Sequence, residues 1–210
     1  MDPKVKDAFE WAACVIAAIV LALLIRYFIG TPTIVENSSM YPTLIDGQRL
    51  IINRMAKSFK GEYQRGEIIT LEAPSITRVA SYDKEQDSPI ATYYKTSGIF
   101  EDFSYYFLEI DKKSYIKRII GLAGEHVKIQ DGDVYINGKL LDEPYLNDEV
   151  ITPQNGVFYD LIVPDGTVFV MGDNREASMD SRSFGCVPIE KIESKVWIRF
   201  WPPNLFGTVE

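Results

Sequence analysis

Histidine and cysteine are nearly missing from this chain: His126 stands alone, and Cys14 and Cys186 are the two cysteines in 210 residues. With a single histidine and no C-x-x-C pair, zinc-ligand spacing is absent, and neither a metal nor another cofactor is expected. The cysteines make a poor disulfide pair, because Cys14 lies inside an apolar run and Cys186 sits far away behind Gly185. Positive charge is also short, with 22 Lys and Arg against 30 Asp and Glu for a net charge of -8. That balance excludes nucleic acid as a partner, since neutralising phosphates takes a basic surface. It equally excludes electrostatic adhesion to anionic lipid. Long hydrophobic runs are limited to one. What is plentiful is core material: 46% apolar residues, with 12% aromatic, suffice for one sizeable domain or two small ones.

The one long run starts at Trp11. Every residue to Ile25 is apolar, and counting on through Arg26 to Ile29 gives about 19 residues with one charge, or ~28 Å of helix against a hydrocarbon core of ~30 Å. A membrane-spanning helix over 11–29 is the expectation, ahead of a buried core helix. A cleavable signal peptide fits less well, because Arg-Tyr-Phe-Ile-Gly-Thr-Pro-Thr occupies the place where small residues would precede a cut. Lys4 and Lys6 lie on the short side and no Lys or Arg separates Arg26 from Arg49, so residues 1–10 are expected to be cytoplasmic and 30–210 exported.

Beyond the run the pattern turns to short segments rich in Val, Ile, Tyr and Phe between Gly, Asp, Asn and Pro, which reads as β structure. Expected strands are Thr33 to Glu36, Arg49 to Arg54, Glu67 to Glu72, Tyr115 to Ile120, His126 to Gln130, Asp133 to Ile136, Lys139 to Leu141, Thr167 to Met171 and Lys195 to Phe200. Asn137-Gly138 marks a two-residue hairpin, because a type I′ turn needs positive φ at both central positions. Residues 75–113, of mixed charge and no clear period, read as an inserted loop or small subdomain.

Three polar segments could carry chemistry. Asn37-Ser38-Ser39-Met40-Tyr41-Pro42-Thr43-Leu44 places a serine in a turn closed by proline, and by itself reads more readily as a turn than as a nucleophile. Tyr115-Ile116-Lys117-Arg118-Ile119-Ile120 sets Lys117 between apolar neighbours, where desolvation would favour a neutral amine; an exposed Lys-Arg pair on an edge strand is the plainer alternative. Gly172-Asp173-Asn174-Arg175 with Ser178-Met179-Asp180-Ser181-Arg182 is a dense polar stretch behind an apolar strand, either a hydrogen-bonded floor or a long surface loop.

In this order, the three segments resemble the bacterial type I signal peptidase (leader peptidase) family. Ser-Met-Tyr-Pro-Thr-Leu matches its serine box, Tyr-Ile-Lys-Arg-Ile-Ile-Gly-Leu its lysine box, and Gly-Asp-Asn-Arg with S-x-D-S-R its third box. The resemblance spans nearly the whole chain except 75–113. It implies a membrane-bound Ser/Lys serine endopeptidase that removes signal peptides from exported precursors after small residues of Ala-x-Ala type. In it Ser39 is the nucleophile, Lys117 the general base and Ser178 the residue that orients the lysine, while Asp180, Arg182 and Asp173 brace the site. Where relatives carry serine or glycine this chain has Asn37, which we read as an oxyanion donor beside the Ser39 N–H. Ala123 and Glu176-Ala177 are further departures from the family wording. The implied partners are exported precursors and the lipid bilayer, at the bacterial cytoplasmic membrane with a single pass. The fold class expected is mainly β, an antiparallel β-sheet catalytic domain behind one transmembrane helix.

Competing classes fit less of the chain. A Ser/Lys self-cleaving repressor would be soluble and often DNA-linked. Ser81-Tyr82-Asp83-Lys84 is an S-x-x-K match to penicillin-recognising enzymes without its partner motifs. A non-catalytic membrane-tethered β module would not need Ser39 and Lys117 together.

Overall fold

A computed structural model describes residues 3–28, 30–54, 63–75, 89–147 and 149–209. Helix α1 (Pro3–Phe28) leads directly into strand β1 (Gly30–Ile34). The strands that follow are β2 (Arg49–Asn53), β3 (Ile68–Glu72), β4 (Ser114–Gly121), β5 (His126–Gln130), β6 (Asp133–Ile136), β7 (Lys139–Leu140), β8 (Asp160–Ile162), β9 (Thr167–Met171), β10 (Val187–Pro188), β11 (Ile192–Trp201) and β12 (Gly207–Thr208). They form two antiparallel sheets. The larger runs β1-β2-β11-β3-β4-β9-β10 with β12 on β11, and the smaller runs β7-β6-β5-β8. Bulges in β11, between Ile192 and Ser194 and again between Val196 and Ile198, bend that long strand and curl the larger sheet.

The expectation of a transmembrane anchor is overturned. Among the described residues no helix is long and apolar enough to cross a membrane. Helix α1 has 26 residues, but Lys4, Lys6, Asp7 and Glu10 occupy its opening turns, and Lys6 pairs with Glu10 at 3.8 Å. Arg26 closes the apolar run at Ile25, so its uninterrupted part is about 15 residues or ~22 Å, short of the ~30 Å core; the count of 19 had run through the charge. The expected single-pass placement in the bacterial cytoplasmic membrane, with a cytoplasmic N-terminus and an exported 30–210, rested on that anchor and falls with it. The fold class is corrected accordingly, from mainly β behind a transmembrane helix to mixed α/β, a helix of 26 residues joined to curled antiparallel sheet.

Local chemistry accounts for most strand positions. Asn137 (φ 51°) and Gly138 (φ 77°) make the expected turn, and register Tyr135 against Leu140. The first strand lies earlier than the pattern predicted, running through Pro32, which a strand tolerates when it is the sheet edge, as β1 is. Gly30 is required there, since a Cβ would stand 2.5 Å from the Ile52 carbonyl oxygen.

Three buried clusters hold the layers. Val127, Ile129, Val134 and Ile136 of the small sheet pack on Ile120 of β4 and on Phe169 and Met171 of β9. Ile69, Leu71, Ile119 and Val170 fill the other face with Phe184 and Ile192. Val35, Met40, Leu44, Leu50 and Ile68 form a third cluster beneath the turn that carries Ser39. Strand β4 is therefore covered on both faces, and Lys117 and Arg118 are 3% and 2% exposed.

In the 75–113 segment, residues 76–88, and with them the Ser81–Lys84 match, lie outside the described residues. Its described part holds a helical turn, Ile99–Asp102, that continues into a π-helical turn, Phe103–Phe107. It is fastened to the sheet. The Ala73 N–H donates to the Lys113 carbonyl (2.9 Å), Lys112 pairs with Glu193, and the Tyr105 hydroxyl donates to Glu72 (3.3 Å), which also accepts from Lys191.

The packing of β4 on the small sheet leaves no room for a side chain at Gly121: a Cβ there would lie 2.5 Å from Val127 Cγ2 and 3.2 Å from the Phe169 Cβ. Gly121→Ala is expected to lower stability by about 1–3 kcal/mol through overpacking. Thermal unfolding followed by circular dichroism should show a midpoint at least about 2 °C lower.

Candidate active site

Ser39 sits in a turn whose ends are pulled in opposite directions. Met40 and Leu44 are buried in the cluster below, Leu44 N–H donates to the Met40 carbonyl at 2.8 Å, and Ser38 stays exposed. The third segment clamps the same turn from the side. Asn174 N–H donates to the Ser39 carbonyl at 3.1 Å, and its side-chain amide to the Ser38 carbonyl at 3.0 Å. Gly172 makes this approach possible, because a Cβ there would lie 2.3 Å from the Ser39 carbonyl oxygen and 2.2 Å from Ser178 Oγ.

Lys117 reaches the turn from β4, and its Nζ lies 2.8 Å from Ser39 Oγ. The amine is buried and its pKa is lowered from 10.5 to about 8. Burial is the main cause; Arg182 lowers it further, while the Asp180 and Asp173 carboxylates oppose part of the shift. The ring of Tyr115, two residues earlier on the same face, is centred 5.5 Å from Nζ.

The charges that flank the amine are themselves neutralised in pairs. Arg118 donates from Nε and Nη2 to the two oxygens of Asp173 at 2.9 and 2.8 Å, both side chains being buried. Thr43 Oγ1 donates to the same carboxylate at 2.6 Å. The Tyr145 ring lies on the Arg118 guanidinium, 3.8 Å from Cζ to ring centroid, and its hydroxyl donates to Glu143 at 2.6 Å. Glu143 in turn pairs with buried Arg175, which also donates to the Gly172 carbonyl at 3.1 Å. Asp180 accepts from Arg182 Nε and Nη2, both at 2.8 Å, and from the Gly172 N–H at 3.1 Å. Asp173, Asp180 and Arg182 are thus part of a scaffold around Gly172.

One residue singled out from the sequence stands differently from its expected position, and a second has an unusual backbone. Ser178 Oγ is buried beside Gly172 and has no hydrogen-bond partner among the described residues, so the bond to Lys117 that the resemblance implied is not formed. Asn37 is exposed at φ 78°, and its backbone N–H donates to Asp46 at 3.0 Å. That left-handed φ is one that asparagine tolerates better than most residues other than glycine. Sequence reasoning missed Arg118, Thr43, Asn174, Tyr145 and Glu143. The one local signal for the last two is an acidic and an aromatic residue on either side of Pro144.

No cluster of His, Cys, Asp and Glu among the described residues could hold a metal ion. A hydroxyl held against a buried amine of lowered pKa is equipment for nucleophilic hydrolysis without histidine. A family model described as signal peptidase, peptidase S26, matches residues 8–201. Signal peptidase I of Bacillus licheniformis is 35% identical over 210 residues, covering 96% of this chain and 92% of that protein. Signal peptidase I S of Bacillus subtilis is 36% identical, with 96% and 93% covered, and signal peptidase IB of Staphylococcus aureus 31%, also with 96% and 93% covered. The chain belongs to the signal peptidase family, peptidase S26, and within it is an enzyme of the signal peptidase I type.

Two outcomes follow for stability. Removing one partner of the Arg118–Asp173 pair leaves a buried charge uncompensated, so Asp173→Ala is expected to cost about 3–5 kcal/mol, and Arg118→Met with Asp173→Leu to recover a good part of it. A denaturant-unfolding double-mutant cycle measures this. For Lys117 the folded pKa lies below the unfolded one, so its charge opposes folding fully below about pH 8, by about 3 kcal/mol at ~1.36 kcal/mol per pKa unit. As pH rises from about 8 toward 10.5, the folded protein has lost the proton and the unfolded chain has not, and stability is gained. Lys117→Met should therefore be more stable than wild type at pH 7, by an amount that shrinks above pH 8 in parallel urea titrations.

Proposed function

We propose that this protein is an endopeptidase that removes signal peptides from exported precursors, with Ser39 as nucleophile and Lys117 as general base. The observation that carries the reading is the 2.8 Å separation between Lys117 Nζ and Ser39 Oγ, with Lys117 3% exposed. The neutral amine takes the Oγ proton as Oγ attacks the scissile carbonyl carbon. The resulting ammonium gives that proton to the leaving nitrogen as the C–N bond breaks, leaving an acyl ester on Ser39. Water then attacks the ester, its proton passing to Lys117 and back to Oγ as the acid product leaves.

The Ser39 N–H and the Asn37 amide are assigned to the oxyanion, and the spare hydroxyl of Ser178 to holding the Lys117 amine during transfer. Asp173, Asp180 and Arg182 keep the three segments in register. Strand β4 supports a docking mode for the peptide. From Ser114 to Arg118 it pairs with β3 on one side, but on the other it pairs with β9 only from Arg118 onward. The edge from Ser114 to Lys117 can thus accept an extended peptide as an added strand, leading it across the dyad. The names of the relatives, signal peptidase I, supply the substrate class.

Cleavage of a purified precursor with alanine at the first and third positions before the cut tests this. Ser39→Ala and Lys117→Ala are each expected to lose at least about 100-fold in kcat/KM, the scale of a general base, with Ser38→Ala near wild type and Ser178→Ala between. Wild-type kcat/KM should rise with pH and level off above about 8, as Lys117 sheds its proton. Full activity in either dyad variant, or a flat profile from mildly acidic to mildly alkaline pH, sinks the assignment.

A further inference from the structure

We propose that residues 89–113 build a substrate subsite of their own, a pocket that takes a basic side chain of the peptide two or more residues from the scissile bond. This rests on the dyad reading, since Ser39 fixes where the bond lies.

A cavity of about 550 Å³ opens between this segment and the start of β4, lined among others by Tyr94, Glu101, Tyr105, Asp111, Lys113 and Tyr115. Tyr115 is common to the cavity wall and to the surroundings of the Lys117 amine. That residue lines the cavity on one side and lies under the Lys117 amine on the other, at 5.5 Å. Residues 115 and 117 share a face of β4 about 7 Å apart, two residues of extended chain. A peptide laid along the free edge from Ser114 to Lys117 therefore brings a side chain into the cavity after about two residues.

The lining selects the chemistry of that side chain. Tyr94, Tyr105 and Tyr115 line it with rings of the kind that attract a cation and pack its aliphatic stem, as Tyr105 already does for Lys112 at 5.8 Å and Tyr115 for Lys117 at 5.5 Å. Glu101 is held in place by three donors, the Tyr94 hydroxyl at 2.7 Å, the Ser97 N–H at 2.8 Å and the Ser97 hydroxyl at 2.7 Å. These bonds also lower its pKa, keeping it charged at neutral pH. With Asp111 it sets two carboxylates against the single ammonium of Lys113, so the field in the cavity is net negative. The wall is anchored rather than hanging free: Lys191 pairs with Glu72 at 3.0 Å and lies over the rings of Tyr93 and Tyr106. The cavity accordingly exists before a substrate arrives.

The test uses precursor peptides of one common sequence around the cut, with Lys or Glu placed in turn at each position from the second to the sixth residue on either side. At one or two adjacent positions the wild type is expected to favour Lys over Glu by about tenfold in kcat/KM, the sum of a few modest contacts of this kind. In Glu101→Gln with Asp111→Asn that ratio should fall to about one. The same peptides, fluorescently labelled, should bind the full chain carrying Ser39→Ala with the same preference in anisotropy, and lose it when the two further substitutions are added. No Lys preference at any position, or one that survives Glu101→Gln with Asp111→Asn, overturns the subsite. Undiminished cleavage by Ser39→Ala overturns instead the dyad on which it rests, and the two failures are separate results.

Discussion

Everything at this site hangs on the buried ion pair between Arg118 and Asp173. The guanidinium meets both carboxylate oxygens, at 2.9 and 2.8 Å, and Thr43 bonds one of them at 2.6 Å. Three stretches far apart in the chain are tied at one point: the turn after Ser39, the strand that carries Lys117 and the loop after β9. An ion pair of this kind contributes little to net stability once desolvation is counted. Its value is directional, because the planar fork accepts one orientation of the carboxylate and so sets the relation of β4 to the Ser39 turn. Lys117 is the next residue along β4, and a shift of that strand would break its 2.8 Å approach to Ser39.

The same pairing decides which groups act on the amine. Burial pushes the Lys117 pKa down, whereas unpaired Asp173 and Asp180 beside it would hold the proton on. Arg182 offsets part of that negative field, and Arg118 and Arg182 each face a carboxylate with two N–H donors. Desolvation then wins, and the amine titrates near the working pH of a general base. Bracing and pKa control are therefore one arrangement rather than two. Glu143 and Tyr145 extend it, the ring closing the open face of Arg118 and the carboxylate holding Arg175 against the Gly172 carbonyl.

Much of the strand pattern was legible in the sequence because β-branched runs between turn residues carry it, as in His126–Gln130, Asp133–Ile136 and Thr167–Met171. The strands Asp160–Ile162, Val187–Pro188 and Gly207–Thr208 were not, since two or three residues show no period and owe their pairing to a neighbour. The three polar segments were legible by their wording, and the fold makes them neighbours. The burial of Arg118 was hidden for a physical reason: alternation assigns faces, but only the layers above and below β4 reveal that both faces are covered. The helix was misjudged at Arg26, where the count runs on through a charge that ends the apolar run.

Residues 89–113 are joined to the strand that carries Lys117 at the end opposite the brace. Their fastenings run through Glu72, Lys112, Lys191 and Glu193, at the Glu72–Ser114 end of the β3–β4 pair, whereas the Arg118–Asp173 brace lies at the Ile68–Arg118 end. The two networks share no residue, and their charges are paired internally. Changes in one should therefore leave the other's geometry nearly untouched, as for separate sites in general. Between them lie Tyr115 and Lys117, so a wall built at one end of β4 can alter what reaches the dyad without altering the dyad. That separation lets the wall vary beside a site whose own pieces tolerate so little displacement.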